Sequence, residues 1–263
     1  MSLLVKAGSG RTIVEVSPAF AGWRYVGFVA YRLAANDVVE YDMGGREACV
    51  VVLEGTVTVA AGGQSWKEIG ERRSVFEERS PYAVYVATPG VIRIVAHAPA
   101  EVAIATAPAG EPAPSRLIEP GVMKRSIRGH GSNQRFVCDI LPETEPAAHL
   151  LVVEVRTPAG HSSSYPPHKH DSDDLPNESA LEETYYHRLD PPQGFAFQRV
   201  YTDDRTLDES LAIENRDVVM VPRGYHPVVV PHGYESYYLN VMAGEKRVWH
   251  FRNDPAHEWM LKR

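Results

Sequence analysis

Two histidines in the order His-x-His are the residues of this sequence best able to do chemistry together. His168 and His170 flank Lys169 and follow two prolines. Residues two apart on a β-strand point to the same face, so both imidazoles would face one point while Lys169 faces the other way. Imidazole is a common ligand of divalent transition metals. The pair therefore indicates one side of a metal site.

Further candidate ligands lie later in the chain. Glu182 and Glu183 begin a run that is rich in tyrosine, and His226 follows a turn of the form Pro-x-Gly. Three imidazoles with one carboxylate suit Zn, Mn, Fe, Co or Ni, and the residue types alone do not choose among these metals. We expect one divalent metal per chain, held by the two histidines above, a carboxylate and His226.

The elements that must position these groups are β-strands. Short runs rich in Val, Ile and Tyr, such as 48–53, 83–87 and 91–96, are separated by turns that contain glycine or proline. Helical periodicity is nearly absent, and the chain has 20 Gly and 20 Pro residues. These features predict an all-β fold of the sandwich or barrel type.

The two halves of the chain resemble each other, which indicates an internal repeat. When the halves are aligned at their turns, Ala48 takes the position of Glu183 and Ile92 that of His226. All 11 histidines lie at His97 or later. We therefore expect the first half to be a degenerate copy that holds no metal.

A small, Pro-rich segment over residues 107–114 is typical of a linker. It predicts two domains with a boundary in this region. We assign residues 1–110 to the metal-free domain and residues 111–263 to the metal-binding domain.

The composition narrows the range of partners. Hydrophobic residues make up 44% of the chain, but none of its apolar stretches approaches the roughly 20 residues that cross a bilayer. The first residues lack the pattern of a signal peptide, so we expect a cytoplasmic protein without a membrane partner. A net charge of -7 disfavours binding to nucleic acid. Cys49 and Cys138 are too few for a disulfide framework and are expected to be buried free thiols.

The order His-x-His, Glu, Pro-x-Gly, His resembles the two motifs of the cupin superfamily. The segments Ser163–Asp171 and Leu181–Tyr186 are similar to those of the 5-deoxy-glucuronate isomerase family of myo-inositol catabolism, a family related to 4-deoxy-5-ketouronate isomerases. The resemblance covers the full chain, including the stretch with Gly129, Gly131 and Arg135. It implies two tandem cupin domains, each a jelly-roll β-sandwich or barrel.

The same resemblance implies an activity. Members of the family are aldose–ketose isomerases, which are intramolecular oxidoreductases that depend on a metal. The implied reaction converts 5-deoxy-D-glucuronate to 5-dehydro-2-deoxy-D-gluconate. The substrate would be a small uronate, and we expect zinc as the metal and a homo-oligomer as the assembly.

The family's carboxylate ligand corresponds to Glu183. The implied metal ligands are His168, His170, Glu183 and His226. Residues 171–182 separate His170 from Glu183, a longer spacing than in simple cupins. Glu178 and Glu182 therefore remain alternatives as the carboxylate ligand.

Residues around the ligands are candidates for substrate contact and proton transfer. A uronate carries a carboxylate, for which arginine is the preferred partner. We expect the substrate to be bound by Arg135, Lys169, Arg223 and Tyr238. Tyr185 and His187 share the face of Glu183 by strand alternation, and we expect one of them or a metal-bound water to move a proton.

Two other functions stay open from the residues. Three histidines and one glutamate also hold iron in cupin dioxygenases. The degenerate first half is also compatible with a cupin that binds sugar without a reaction. Oxygen consumption would identify the first alternative, and absence of turnover would identify the second.

Overall fold

The computed structural model describes residues 2–87, 89–111 and 113–262, apart from the side chain of Lys262. Nearly all of its elements are β-strands, so the predicted all-β class is confirmed. Pro112, in the predicted linker, lies outside the described residues, as do Met1, Thr88 and Arg263.

Strands are numbered in chain order. They are β1 (Leu4–Val5), β2 (Thr12–Val16), β3 (Gly27–Leu33), β4 (Val38–Asp42), β5 (Arg46–Glu54), β6 (Val57–Ala61), β7 (Gln64–Ile69), β8 (Tyr82–Val86), β9 (Val91–Ala96), β10 (Ala100–Pro108), β11 (Arg116–Ile118), β12 (Lys124–Arg128), β13 (Arg135–Leu141), β14 (Leu150–Thr157), β15 (Ser162–Ser163), β16 (His168–Lys169), β17 (Asp171–Asp174), β18 (Glu178–Ala180), β19 (Glu182–Asp190), β20 (Phe195–Tyr201), β21 (Asp208–Glu214), β22 (Val218–Val221), β23 (Val228–Val229), β24 (Glu235–Ala243) and β25 (Arg252–Asn253). In the described residues the helices are α1 (Pro18–Ala21) and the 3₁₀ helices Pro120–Val122, Gly131–Asn133 and Pro255–Lys262.

The chain forms two compact units that are discontinuous in sequence. The N-terminal unit comprises Gly8–Lys124 and Cys138–Val153, and the C-terminal unit comprises Met1–Ala7, Arg125–Val137 and Glu154–Arg263. This division differs from the continuous boundary that the sequence predicted at residues 110 and 111.

The predicted linker lies inside the N-terminal unit. Strand β10 ends at Pro108, and β11 begins at Arg116 and pairs with β8 of the same unit. The first residues of the chain, by contrast, contribute β1 to the C-terminal unit, where Leu4 pairs with Val219 of β22. Sequence order does not reveal this because β1 satisfies its backbone hydrogen bonds with a strand more than two hundred residues away.

In the C-terminal unit, β19 is an inner strand between β22 and β24. The larger sheet has the order β1-β22-β19-β24-β14-β13-β12, and a four-stranded sheet has the order β15-β23-β20-β21. Every residue of β19 from 183 to 189 is buried, whereas β20 alternates between buried and exposed side chains. Both faces of β19 are therefore covered, so polar side chains on this strand must find partners inside the protein.

The N-terminal unit repeats this arrangement with apolar residues. Strand β5 lies between β8 and β10 in the sheet β11-β8-β5-β10-β3-β2, and a second sheet has the order β4-β9-β6-β7. Ala48 on β5 pairs with Val86, just as Glu183 on β19 pairs with Val221. Ala48 and Ile92 are both fully buried in one apolar core.

The two cysteines are buried free thiols, as predicted. Burial raises the pKa of Cys49 to about 12, so this thiol stays protonated at neutral pH. Among the described residues, none of the helices has the length and apolar character needed to cross a membrane.

Glu47 connects two segments of the N-terminal unit through hydrogen bonds. Its buried carboxylate accepts hydrogen bonds from the backbone amides of residues 148, 149 and 150, at 2.6 to 2.8 Å. It also accepts one from the hydroxyl of Tyr85 at 2.5 Å. These bonds fasten the chain that enters β14 to the start of β5.

We predict that Glu47→Ala lowers the free energy of unfolding by about 3 kcal/mol or more, because three backbone amides lose their charged acceptor. Tyr85→Phe removes one bond to the same carboxylate and should cost about 1 kcal/mol. Urea denaturation followed by circular dichroism measures both values. Equal losses in the two variants would mean that the backbone amides find other acceptors.

Candidate metal centre

Strand β16 and the residue after it direct two imidazoles towards His226. The ring centroid of His168 lies 4.9 Å from that of His226, and the ring of His170 lies 5.0 Å from it. The ammonium group of Lys169 instead lies 2.6 Å from the carboxylate of Asp171. The alternation predicted for this segment is therefore confirmed.

Glu183, the second residue of β19, brings its carboxylate between two of these rings. Its Oε2 atom lies 3.1 Å from Nε2 of His170 and 3.2 Å from Nε2 of His226. The other oxygen, Oε1, accepts a hydrogen bond of 2.5 Å from the side-chain amide of Asn240 on β24. One oxygen is thus held by the neighbouring strand while the other faces the imidazoles.

The turn before β23 sets the position of His226. Gly224 has a φ of 92°, and a Cβ atom there would collide with the carbonyl oxygen of Tyr201. The carbonyl of Gly224 accepts a hydrogen bond of 2.8 Å from Nδ1 of His226. Glycine is therefore required both for the backbone angle and for the close approach to β20.

These hydrogen bonds determine which imidazole nitrogen carries the proton. Nδ1 of His170 donates to the carbonyl of Leu181 at 3.2 Å, and Nδ1 of His226 donates to that of Gly224. A carbonyl can only accept, so in the neutral rings both Nε2 atoms present lone pairs. Nε2 of His226 is buried and has no hydrogen-bond partner among the described residues.

Burial acts against a positive charge on these rings. It lowers the pKa of His226 to about 3 and that of His168 to about 3. Burial also works to lower the pKa of His170, but the Glu183 carboxylate beside it outweighs this effect and raises it. His168 and His226 are therefore neutral at neutral pH, which is the form that binds a metal.

The arrangement fits a metal ion. The ligand atoms of His170, Glu183 and His226 all lie within 4.8 Å of one another, and all three residues are buried. Nε2 of His170 forms a hydrogen bond of 3.1 Å with Oε2 of Glu183 when it carries a proton. When both rings are neutral, two lone pairs face this oxygen, and a divalent cation between them would remove the repulsion. Backbone carbonyls that hold the opposite ring nitrogens are typical of metal-binding histidines.

His168 does not belong to this group of three. Its ring donates a hydrogen bond to the carbonyl of Pro166 and packs 4.6 Å from the ring of Phe251. Its assignment as a fourth ligand stays a prediction. Of the four predicted ligands, His170, Glu183 and His226 converge. The ring of His168 lies beside them.

The two alternative carboxylates lie elsewhere. Glu178 accepts hydrogen bonds from Lys169 and from the backbone amides of Asp171 and Ser172, so it closes the hairpin of β17 and β18. Glu182 points to the other side of β19 by alternation with Glu183. Neither residue is in the group of converging ligand atoms found in the described part of the chain.

Asp171 connects two ligand-bearing segments. Its Oδ1 atom pairs with Lys169, and its Oδ2 atom accepts a hydrogen bond of 2.8 Å from the amide of Gly224. Burial works against the charge of Lys169, but Asp171 and Glu178 outweigh it and raise its pKa. Lys169 is therefore engaged by carboxylates, and it is not among the described residues that line the cavity beside His168.

A cavity of about 330 Å³ reaches the three converging residues through their neighbours Asn240, which binds Glu183, and His168, whose ring contacts that of His226. His168 lines it, as do Asn240, Tyr185 and Tyr238. The rings of Tyr185 and Tyr238 lie 4.8 Å apart, and the hydroxyl of Tyr185 lies 3.2 Å from Oγ of Ser164. Both tyrosines thus stand where a bound molecule would touch them.

His187 lies behind Tyr185 and does not line this cavity. Its ring stacks 5.9 Å from that of Tyr185, and its Nε2 atom lies 3.2 Å from Oε1 of Gln198. The amide of Gln198 donates to the carbonyl of His226. His187 is therefore part of the packing that supports His226, and burial lowers its pKa to about 4.

The two arginines predicted to bind substrate have different positions. Arg135 lines the cavity, whereas Arg223 is exposed and lies 3.4 Å from Oγ1 of Thr206. Sequence reasoning did not single out Arg128, Trp249, Phe251 and Leu261, which also line the cavity. These residues show no motif in the sequence, and only their position in the fold reveals them.

The sequence profile of the KduI/IolB family matches residues 3–260. The chain belongs to this family. Among its relatives is a protein of Geobacillus kaustophilus named 5-deoxy-glucuronate isomerase, which is 51% identical over 95% of this chain and 91% of its own length. The corresponding protein of Bacillus subtilis strain 168 is 48% identical over 96% of this chain and 94% of its own.

Solved structures agree with the family assignment. The crystal structure of an IolB-like protein from Salmonella typhimurium LT2 is 46% identical, covers 99% of this chain and 100% of its own, and has a TM-score of 0.97. An oxalate decarboxylase of Lactobacillus farciminis has a TM-score of 0.67 at 13% identity, over 100% of this chain and 91% of its own. That likeness is one of fold alone. Together, the two solved structures and the strands of this KduI/IolB protein confirm the predicted all-β fold of tandem cupin domains.

We predict that Glu183→Gln reduces the metal content of the purified protein, measured by elemental analysis, from one ion per chain to below about a tenth. The variant should stay folded by circular dichroism because its apolar cores do not involve the metal. Glu182→Gln is the matched control and should retain the metal. The reverse order would place the carboxylate ligand one residue earlier on β19.

Proposed function

We propose that the protein is a 5-deoxy-glucuronate isomerase that interconverts 5-deoxy-D-glucuronate and 5-dehydro-2-deoxy-D-gluconate. The observation that carries this proposal is 51% identity, over 95% of the chain, to a relative of that name. The convergence of His170, Glu183 and His226 beside a cavity supports it, because aldose–ketose isomerisation requires the polarisation of two adjacent oxygens.

We propose that His170, Glu183 and His226 hold the metal, with His168 as the fourth ligand. Zinc is the proposed ion because imidazole nitrogen and carboxylate oxygen are among its usual ligands. A bound divalent ion supplies a Lewis acid that polarises the substrate carbonyl and the neighbouring hydroxyl. Asn240 keeps the carboxylate of Glu183 oriented through its hydrogen bond to Oε1.

Tyr185 is the proposed proton-transfer residue. Burial raises its pKa well above the ordinary value, so the phenol is protonated at neutral pH. A protonated phenol that lines the cavity can donate to a substrate oxygen on which negative charge develops. His187, the other candidate from sequence, is separated from the cavity by the ring of Tyr185, and we assign it a supporting role.

The reaction itself is tested with 5-deoxy-D-glucuronate in D₂O. We predict that the ketose product carries deuterium on its hydroxymethyl carbon, because a proton removed to form an enediol exchanges with solvent before it returns. Proton NMR of the product after partial conversion measures this. Absence of turnover contradicts the proposed function, and turnover without deuterium at several conversion levels contradicts the enediol route.

We predict that Tyr185→Phe lowers kcat by about 10² or more while the metal content is unchanged, since a positioned acid or base contributes about 10² to 10⁴ in rate. His187→Gln keeps a donor for Gln198 and should cost much less. Steady-state kinetics with elemental analysis of both variants measure this. A larger loss in the His187 variant would transfer the proton-transfer role to His187.

The observations give less support to the two alternatives, a cupin dioxygenase and a cupin that binds sugar without a reaction. The likeness to oxalate decarboxylase is confined to the fold, so it carries no argument for oxygen chemistry.

We also propose that the protein forms a homo-oligomer. It is supported by exposed aromatic side chains at Phe195 and Phe197, whose rings lie 5.4 Å apart on the outer face of β20.

A further inference from the structure

The cavity beside the converging ligands has an uneven distribution of charge. Two arginines line it, Arg128 and Arg135, and no aspartate or glutamate is found among the described residues of its lining. Apolar and aromatic side chains make up much of the remainder, including Trp249 and Phe251. A cavity with cationic groups and no carboxylate in its wall is suited to an anionic ligand.

A hairpin of the C-terminal unit brings the two arginines together. Arg128 is the last residue of β12, and Arg135 is the first residue of β13, its neighbour in the sheet. Between them, Gly129 has a φ of 72°, and a Cβ atom there would come within 2.8 Å of Nη1 of Arg135. The missing side chain at Gly129 therefore leaves room for the guanidinium of Arg135.

The hydrogen bonds of Arg135 leave one edge of its guanidinium for a ligand. Nη1 donates to the carbonyls of Asn133 and Tyr165, at 3.1 and 3.3 Å. Nε and Nη2 have no acceptor among the described residues, and no carboxylate there forms an ion pair with Arg135. An Nε–Nη2 edge has the spacing that accepts both oxygens of one carboxylate.

Electrostatics favour an anion at this place. Burial lowers the pKa of Arg135, and the positive charge of Arg128 acts in the same direction. The guanidinium of Arg128 also lies 5.4 Å from the ring centroid of Trp249, which orients it at the cavity wall. Burial and the nearby positive charge of Arg128 make the guanidinium of Arg135 costly, and an anionic group bound to Arg135 would offset that cost.

We propose that Arg128 and Arg135 form the subsite that binds the carboxylate of the substrate and thereby select a uronate over a neutral sugar. This proposal rests on the proposed function, because that function supplies an anionic substrate. In an open-chain uronate the carboxylate and the reacting carbonyl are at opposite ends of the carbon chain. The same cavity is lined by His168 and Asn240, which stand beside the converging ligands, so one molecule can engage both groups.

The first test compares Arg135→Gln with wild-type holoenzyme on 5-deoxy-D-glucuronate. We expect KM to rise about 10- to 100-fold, the factor for loss of a charged bidentate hydrogen bond, with a smaller change in kcat and an unchanged metal content. Arg199→Gln is the matched control. Arg199 pairs with Asp208 on the protein surface, so its removal should leave KM unchanged.

The second test uses a neutral analogue in which a hydroxymethyl group replaces the carboxylate. Wild-type enzyme should prefer the uronate by at least about tenfold in kcat/KM, and Arg135→Gln should lose most of this preference. Arg128→Gln should weaken it in the same direction. A KM for the uronate that is unchanged in both arginine variants would overturn the proposal.

A binding measurement covers the case in which an arginine variant folds poorly. D-Gluconate and D-glucitol share one carbon skeleton and differ only in carboxylate against hydroxymethyl. Calorimetry with wild-type holoenzyme should show binding of gluconate and much weaker binding of glucitol. Equal affinities would overturn the subsite, as would undiminished gluconate binding by a folded Arg135→Gln variant, which would locate the carboxylate elsewhere.

This binding does not require turnover, so the two proposals can fail separately. Gluconate selectivity that depends on Arg135, without isomerase activity, would contradict the proposed function and retain the anion subsite. Isomerase activity with unchanged kinetics in the arginine variants would retain the function and reject the subsite.

Discussion

The candidate metal centre of the C-terminal unit depends on one buried cluster of polar atoms. In it, the Oε2 atom of Glu183 lies 3.1 and 3.2 Å from the Nε2 atoms of His170 and His226. When both rings are neutral, their lone pairs and the carboxylate oxygen repel one another in a buried site, whereas a proton on Nε2 of His170 forms a hydrogen bond to that oxygen. Backbone carbonyls hold the opposite ring nitrogens, so the rings cannot easily turn away. The fold therefore maintains an arrangement that a cation stabilises.

Three parts of the chain that are distant in sequence must keep their relative positions for these atoms to meet. Glu183 is held by its place in β19 and by Asn240 on the neighbouring strand β24. The histidine-bearing segment and the turn before His226 are joined through Asp171, which binds both Lys169 and the amide of Gly224. Lys169 is thus important for the site without facing it. A charged residue between two ligands here stabilises the frame that positions them.

The N-terminal unit shows that the sheet order alone does not create the site. Strand β5 lies between β8 and β10, as β19 lies between β22 and β24, yet Ala48 and Ile92 form part of an apolar core. An apolar core needs no compensating charge, whereas a buried carboxylate does. The tandem cupin fold thus supplies the strands, and the side chains at a few inward positions decide whether a unit has candidate metal ligands.

The sequence by itself determined the all-β class, the tandem cupin fold through its resemblance, and the inward direction shared by Glu183, Tyr185 and His187. These follow from local rules, because strand alternation and turn residues act over a few positions. Only the tertiary structure decided that Glu183, and not Glu178, meets the histidines, that His187 lies behind Tyr185, and that Arg128 lines the cavity. Those facts depend on strand register and on packing between segments far apart in sequence, and local spacing carries no information about either.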